Sequence, residues 1–323
     1  MRMKRRKCLK TLAAAAIGFH LFPRAVFGGR GAVSASPAAV REFPTRLMNP
    51  KAIAVDCAGN VYVGCSGWLG GLQKFVPSGD GGQFTAAWAV EKHKIRGIAL
   101  SPAGQVCATS YTKSEQVVKL FSADGALLKA VGSTGKEPGQ FCGPTGIAAN
   151  RAGELYVVES STWPEGGGHR VQKFSANGKF LLTWGSEGTA PGQLNLPTGI
   201  ALDGKDNIYV ADSYNCRVQK FSPDGAFLAT WGTYGDGDGQ LNCAQGIAVG
   251  PDGNLYIADT YNNRIQQFTA EGKFIVAWGK QGTGAGEFWL PCGIAVDAAG
   301  TVYVADTMNN RVQMFAHAGN ARS

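Results

Sequence analysis

The sequence has few of the residues that build metal and nucleophilic sites. Its 323 residues include only four histidines, and His93, His169 and His317 are the three that lie beyond the N-terminal leader. None of the eight cysteines forms a C-x-x-C or C-x-x-C-H spacing, so a zinc knuckle or an attached haem has no support. A Ser-His-Asp set cannot be identified from spacing. We therefore predict no cofactor and name only His93 and His169 as candidate ligands of a divalent metal, which is left open.

Long apolar runs are also scarce, and the run Leu12–Phe22 is too short to span a bilayer stably. It follows the charged segment Met1–Lys7 and precedes small residues around Ala32–Ala39, which is the order of an export signal. The alternative is a disordered basic tail in a cytosolic protein.

The leader also resembles the twin-arginine type of export signal. Arg5-Arg6-Lys7-Cys8-Leu9-Lys10 resembles its motif, with Cys8 where Phe is usual, and Val33-Ser34-Ala35 offers a cleavage site. This resemblance implies export of the folded protein. We expect a signal peptide over 1–35, a periplasmic or extracellular domain over 36–323, and membrane contact only during export.

Acidic residues are absent from the leader, which decides how the net charge of +8 is interpreted. Eight of the 31 Lys and Arg residues lie within 1–35, and the remainder balances the 23 Asp and Glu residues. Because the domain over 36–323 has no net charge, we expect no nucleic-acid partner.

Helical periodicity is nearly absent, whereas glycine is abundant and a strand pattern repeats. Leu196–Gly232 holds four apolar runs separated by turn residues, which predicts a four-stranded antiparallel sheet. Its first strand motif recurs six times, 45 to 53 residues apart, beginning near Ala52, Gly97, Gly146, Gly199, Gly246 and Gly293. Six copies predict an all-β, six-bladed β-propeller. Small residues in these motifs suit inner strands that crowd around the axis, and Trp184, Trp231 and Trp278 end the outer strands.

The sixth copy lacks its fourth strand, because only eight residues follow Phe315. An unassigned run of strand length, Ala38–Phe43, precedes the first copy. We predict that this N-terminal strand completes blade six and closes the ring.

A known family shares this repeat. The pattern P-x-G-I-A-x-D, Y-V-A-D, N-x-R-V-Q-x-F, G-x-F and W-G, carried nearly in full by Pro197–Gly232, Gln245–Gly279 and Pro291–Phe315, resembles the NHL repeat. The resemblance implies a β-propeller. It leaves function open, because NHL propellers serve as RNA-binding modules, interaction modules, extracellular sensors and, in peptidyl-amidoglycolate lyase, a metalloenzyme.

An acid and an arginine flank the loop between the second and third strands of four blades. The strands of each blade are labelled a to d in chain order, and the b–c and d–a loops of a propeller emerge on one face, the loop face. We expect each acid to pair with its arginine and hold their own b–c turn in place. If the pair is exposed, its contribution to stability is small. The pairs are Glu159–Arg170, Asp212–Arg217, Asp259–Arg264 and Asp306–Arg311. In blades one and two, Cys65 and Ser110 replace the acid, and Gly71 and Val117 replace the arginine.

Large apolar or aromatic residues occupy the b–c loops, one in each blade, and form a candidate binding rim or merely pack on neighbouring loops. They are Trp68, Tyr111, Trp163, Tyr214, Tyr261 and Met308. The blade-three loop also carries a glycine-rich insertion, Ser161–His169, which adds His169 to the candidate ligand-binding residues.

Seven cysteines remain after the leader, an odd number that excludes full intramolecular pairing. Cys216 with Cys243, and Cys65 with Cys292, are the pairs that the propeller would bring near each other; disulfides or simple packing are open for both. Asp56, Asp203 and Asp297 suit either an a–b turn or a cation on the axis.

Three functions remain. The first is a monomeric, non-enzymatic scaffold that binds a protein, peptide or glycan through its b–c loops. The second is a metal-dependent lyase or lactonase-like hydrolase with its site at the channel mouth. The third, RNA binding, is disfavoured by neutral charge and export.

Overall fold

The computed structural model describes residues 40–42, 48–67, 70–78, 81–88, 94–112, 115–160 and 168–316. Among these residues there is no α-helix, and the regular structure consists of 26 strands and three single-turn 3-10 helices. No helix in these segments is long and apolar enough to cross a membrane.

Five blades are four-stranded antiparallel sheets with their strands paired in chain order. Blade one contains β2 (Pro50–Val55), β3 (Val61–Cys65), β4 (Gly71–Ser78) and β5 (Gly81–Trp88). Blade two contains β6 (Lys94–Leu100), β7 (Val106–Tyr111), β8 (Gln116–Phe121) and β9 (Leu127–Val131). Two short parallel strands follow in the d–a loop, β10 (Ser133–Thr134) and β11 (Gln140–Phe141).

The remaining blades repeat the same order. Blade three contains β12 (Pro144–Ala149), β13 (Leu155–Glu159), β14 (Arg170–Phe174) and β15 (Phe180–Trp184). Blade four contains β16 (Ile200–Leu202), β17 (Ile208–Asp212), β18 (Arg217–Phe221) and β19 (Phe227–Trp231). Blade five contains β20 (Gly246–Val249), β21 (Leu255–Asp259), β22 (Arg264–Phe268) and β23 (Phe274–Trp278). Blade six contains β24 (Pro291–Val296), β25 (Val302–Asp306) and β26 (Arg311–Phe315).

The ring is closed by the N-terminal strand, as predicted. The strand β1 (Val40–Glu42) pairs antiparallel with β26, so that Val40 lies opposite Phe315 and Glu42 opposite Gln313. The Glu42 carboxylate also pairs with Arg311 at 2.6 Å. These contacts fasten the start of the ring to its last blade.

Each boundary between neighbouring blades holds one hydrophobic cluster, and the six clusters go all the way around the ring. At the boundary of blades three and four, Trp184 lies 6.5 Å from the ring of Tyr156 in its own blade and 6.1 Å from Phe221 in the next. A four-stranded sheet has two apolar faces, and only neighbouring blades on both sides cover them. The all-β, six-bladed propeller predicted from the repeats is therefore confirmed.

The a strands lie innermost and contact one another around the axis. A Cβ added at Gly246 would overlap the carbonyl oxygen of Cys292 in the next blade, and one at Gly146 would overlap that of Thr198. Glycine is needed at this level because the backbones approach too closely for any side chain.

Candidate functional site

The acid and the arginine of each pair lie directly opposite each other in strands b and c. Asp212 faces Arg217 in the β17–β18 register, and Arg217 Nε donates to Asp212 Oδ2 at 2.7 Å. The other three pairs have the same register and distances of 2.8 Å. All four carboxylates are fully buried, so they are not the exposed pairs that would contribute little.

Each arginine reaches beyond its own turn to the d–a loop that leads into its blade. The Arg217 guanidinium donates to the carbonyl oxygens of Thr189, Ala190 and Gln193 at 2.8–3.0 Å. Asp212 in turn accepts a hydrogen bond from the backbone N–H of Asn195 in the same loop. The expectation that each pair pins only its own turn was therefore too narrow, because each pair ties two loops together.

Burial dominates the electrostatics of these acids. It raises the pKa of Asp212, and the hydrogen bonds from Asn215, the Asn195 N–H and Arg217 offset this only in part. Burial likewise raises the pKa of Glu159 and of Asp259. Because these carboxylates are fully buried and accept hydrogen bonds from donors inside the fold, their oxygens do not face solvent and are not available to a ligand.

In blades three, five and six, the residue before the arginine connects one blade to the next. Asn263 Oδ1 accepts from the Leu290 N–H at 2.8 Å, and Asn310 Oδ1 accepts from the Asn49 N–H at 2.8 Å. In blade three this position is His169, which is 6% exposed and whose Nδ1 accepts from the Leu196 N–H at 3.2 Å. The predicted ligand-binding and metal residue His169 thus lies in a structural position with Nδ1 occupied.

Blades one and two depart from this scheme where the sequence indicated. Cys65 lies opposite Gly71, and Ser110 lies opposite Val117, in the register positions that hold acid and arginine elsewhere. The loop face therefore lacks a buried ion pair at these two positions. Its polar chemistry differs between blades one and two and the other four.

The predicted rim is described at four of its six positions. Met308 is 39% exposed, and Tyr111, Tyr214 and Tyr261 are half-buried. Trp68 and Trp163 lie outside the described residues, as does the other candidate metal ligand, His93.

Two exposed apolar residues beside Met308 escaped the sequence analysis. Trp289 is 47% exposed and Met48 is 43% exposed. The Met308 N–H donates to the Trp289 carbonyl oxygen, and the Asn310 side chain holds the backbone next to Met48, so both residues flank one b–c loop. We name Met48, Trp289 and Met308 the apolar patch. The signal was present in the repeat, because blades four and five have asparagine at the position that Trp289 and Met48 occupy.

At the mouth of the channel, one position near the start of strand a holds a different type of side chain in most blades. This mouth position, two residues before the strand-a isoleucine, holds Lys51, Arg96, Thr145, Thr198, Gln245 and Cys292. In blade four, the Thr198 hydroxyl contacts Ser213 Oγ at 2.6 Å and the Gln245 carbonyl oxygen at 2.9 Å. In blade two the matching side chains are Arg96 and Tyr111, and the Arg96 guanidinium lies over the Tyr111 ring with Cζ 4.7 Å from its centroid.

The seven described cysteines are free thiols, so neither proposed pair is bonded in this structure. Burial raises the pKa of Cys65 and of Cys107 to about 12. Cys292 Sγ accepts from Lys51 Nζ at 3.2 Å. No group of three His, Cys, Asp or Glu side chains is close enough to hold a metal ion within the described segments.

The three turn aspartates lie on the opposite face and act as turn residues. Asp203 Oδ1 accepts from the N–H groups of Lys205 and Asn207, and Oδ2 accepts from the Asn207 amide and the Tyr209 hydroxyl. Burial raises the pKa of Asp203, but these donors outweigh it and hold the pKa below its usual value. Asp56 and Asp297 accept in the same way from their own turns.

The closed ring of four-stranded blades and its loop-face pairs define a β-propeller. Three of its segments match the NHL repeat model, residues 194–221, 241–268 and 288–315. Each match runs from the end of a d–a loop through strand c, the part of the blade that contains the acid and the arginine.

Curated relatives share the repeat over part of their length. The chain is 29% identical to "NHL repeat-containing protein 3" of Homo sapiens and of Mus musculus over 185 residues, which is 51% of this chain. The match covers 49% of each relative, so the chain spans about half the length of the curated relatives it matches.

Solved structures share the fold at low identity. A catalytically inactive virginiamycin B lyase from Staphylococcus aureus with quinupristin superposes with a TM-score of 0.58 at 18% identity, over 88% of this chain and 89% of that one. An auxiliary nutrient binding protein from Bacteroides thetaiotaomicron superposes with a TM-score of 0.62 at 11% identity, over 84% and 69% of the two chains. A likeness at these identities concerns the fold alone.

Proposed function

We propose that the protein is an exported, monomeric binding scaffold that holds a protein, peptide or glycan against its loop face without catalysing a reaction. The apolar patch carries this proposal. Trp289, Met308 and Met48 are 39–47% exposed, and their backbones lie in or beside one b–c loop. Exposed apolar side chains that cluster, rather than lie scattered, mark interaction surfaces.

The position of the apolar patch separates it from the exposed residues that the fold repeats. Leu181, Leu228 and Ile275 are also 43–50% exposed, but each is the second residue of an outer strand and recurs from blade to blade. Trp289 and Met48 occur where blades four and five have asparagine and blade three has Cys142. Large exposed apolar side chains at this position flank the blade six–one boundary, which supports a role that the fold does not require.

The loop geometry supports binding through a rigid surface. The b–c loop that carries Met308 is a single turn of 3-10 helix, Thr307–Asn309, held by the Asn309 amide, which donates to Asp306 and to the Gly282 carbonyl oxygen. A side chain presented by such a loop loses little conformational freedom when a partner covers it. Trp and Met are favoured at such interface cores because they bury much apolar area.

The test compares two variants on peptide-display and glycan arrays. We expect W289A/M308A to weaken the selected ligand at least about tenfold. The matched control L228A removes a side chain of similar exposure from an outer strand, and it should bind like the parent. Unchanged binding by W289A/M308A would overturn the proposal, and so would stoichiometric zinc, iron or calcium in the purified protein together with turnover, which supports the lyase or hydrolase alternative.

A further inference from the structure

Arg96 differs from the other arginines of the loop face. Arg170, Arg217, Arg264 and Arg311 each donate to a buried carboxylate and to backbone carbonyl oxygens. No carboxylate or carbonyl oxygen of the described residues accepts from Arg96, whose one recorded partner is the Tyr111 ring.

The stacking leaves the donors of Arg96 available. A cation–π contact occupies the face of the guanidinium, whereas its five N–H groups lie in the plane at the edge. Water reaches the Arg96 side chain, but protein atoms surround it closely enough that burial lowers its pKa. A guanidinium remains charged at neutral pH, so Arg96 keeps a positive charge that no carboxylate of the described residues balances.

Blade two has two cations at this place, and no carboxylate of the described residues pairs with them. Lys94 and Arg96 are both exposed in strand β6, while Ile95 between them is fully buried. Lys94 is also the register partner of Tyr111 across the β6–β7 pair. Ser110 occupies the position that carries a buried carboxylate in blades three to six.

The neighbouring blade adds to the positive potential. Lys51 occupies the same mouth position in blade one, where the acid is replaced by Cys65. Its ammonium donates to Cys292 of blade six, on the side away from blade two. The positive charges of Lys51, Lys94 and Arg96 together favour binding of an anion.

We propose that Arg96, stacked on Tyr111 and flanked by Lys94, forms an oxyanion-binding site at the channel mouth for a carboxylate or phosphate group of a small ligand. The planar edge of a guanidinium matches two oxygens of either group through parallel hydrogen bonds. Lys94, two residues before Arg96 in the same strand, supplies a further charge nearby. The site shares the loop face with the apolar patch but does not depend on the function proposed for that patch.

The test follows arginine side-chain Nε–Hε resonances while inorganic phosphate or succinate is added at constant ionic strength. We expect one resonance to shift saturably, with loss of that signal in R96K identifying it. R96K keeps the charge but loses the planar fork, so its affinity, measured by isothermal titration calorimetry alongside the parent, should fall at least about tenfold. The two probes separate the sources, because the probe with the lower dissociation constant indicates whether the site prefers phosphate or carboxylate.

R151K is the matched control, because Arg151 is exposed on an a–b turn of the opposite face. It should bind like the parent, and so should W289A/M308A, which keeps Arg96 and separates this site from the apolar patch. Y111L removes the ring on which Arg96 stacks, and it tests the oxyanion site if R96K fails to fold. No saturable shift with either probe, or equal affinity in R96K or a folded Y111L, would refute the oxyanion site.

Discussion

Replacing Asp259 with alanine tests whether the buried acids hold the loops together. Asp259 is fully buried and accepts from Arg264, Asn262, Gln266 and the Asn242 N–H at 2.7–2.9 Å. Asp259→Ala leaves all four donors without this acceptor. It also leaves the Arg264 guanidinium, 13% exposed, without its counter-charge.

The expected loss follows from breaking one side of a buried ion pair. Removing one partner costs about 3–5 kcal/mol, because the remaining charge stays buried and uncompensated. The carbonyl oxygens of Asp236, Gly237 and Gln240 still bind Arg264, which favours the lower half of that range. At about 2 °C per kcal/mol for a domain of this size, the midpoint of thermal unfolding should fall by about 6–8 °C.

Differential scanning calorimetry with a double-mutant cycle gives the measurement. Asp224→Ala is the control, because Asp224 is exposed in a c–d turn, and its cost should stay within about 0.5 kcal/mol. Adding R264A to D259A should cost less than the sum of the single changes, since the second change removes the stranded charge. A D259A midpoint within about 2 °C of the parent, or strict additivity, would refute the reasoning.

Three further outcomes are expected. Deleting Val40–Glu42 should lower the melting temperature sharply, because it exposes the edge of blade six; an unchanged calorimetric trace would contradict ring closure as a source of stability. Gly246→Ala should destabilise by about 2 kcal/mol or more, since its Cβ overlaps the Cys292 carbonyl oxygen, whereas Gly204→Ala, with open space around it, should be nearly neutral in urea titrations. Asp203 has a folded pKa below its unfolded value, so its contribution is present above the unfolded pKa and is lost as pH falls through the folded pKa. Asp203→Asn should therefore flatten the fall of stability in acid, and an unchanged pH profile would count against this assignment.

The architecture was predictable because the sequence pattern of one blade recurs six times along the chain. Every blade must cover its neighbours, so the period, the strand pattern and the missing fourth strand of blade six determined the number of blades and the closure. The register of acid against arginine followed from the same alignment, and the structure places Asp306 opposite Arg311 as the alignment implies.

The partners across blade boundaries were not predictable, because the repeat period does not show which loop lies above which strand. Arg217 reaches the loop that leads into its blade, whereas Asn263 and His169 reach the loop that leads out of theirs. His169 stood out in the sequence as a rare histidine in an irregular loop. In the structure it accepts the same hydrogen bond from the next loop that asparagine accepts in blades five and six.

In the regular blades, polar side chains of the loop face are already hydrogen-bonded within the fold, and this limits where a ligand can bind. Asn215, for example, donates both to Asp212 and to the Gly188 carbonyl oxygen, so the polar groups of that loop are spent inside the fold. A site requires groups that folding leaves unsatisfied or exposed. On the described part of the loop face, such groups include Trp289 at the blade six–one boundary, Tyr234 before blade five and Arg96 in blade two. Both proposed sites lie in or beside the two blades that lack the acid and the arginine, because the buried ion pairs of the other blades already engage polar groups of their loops.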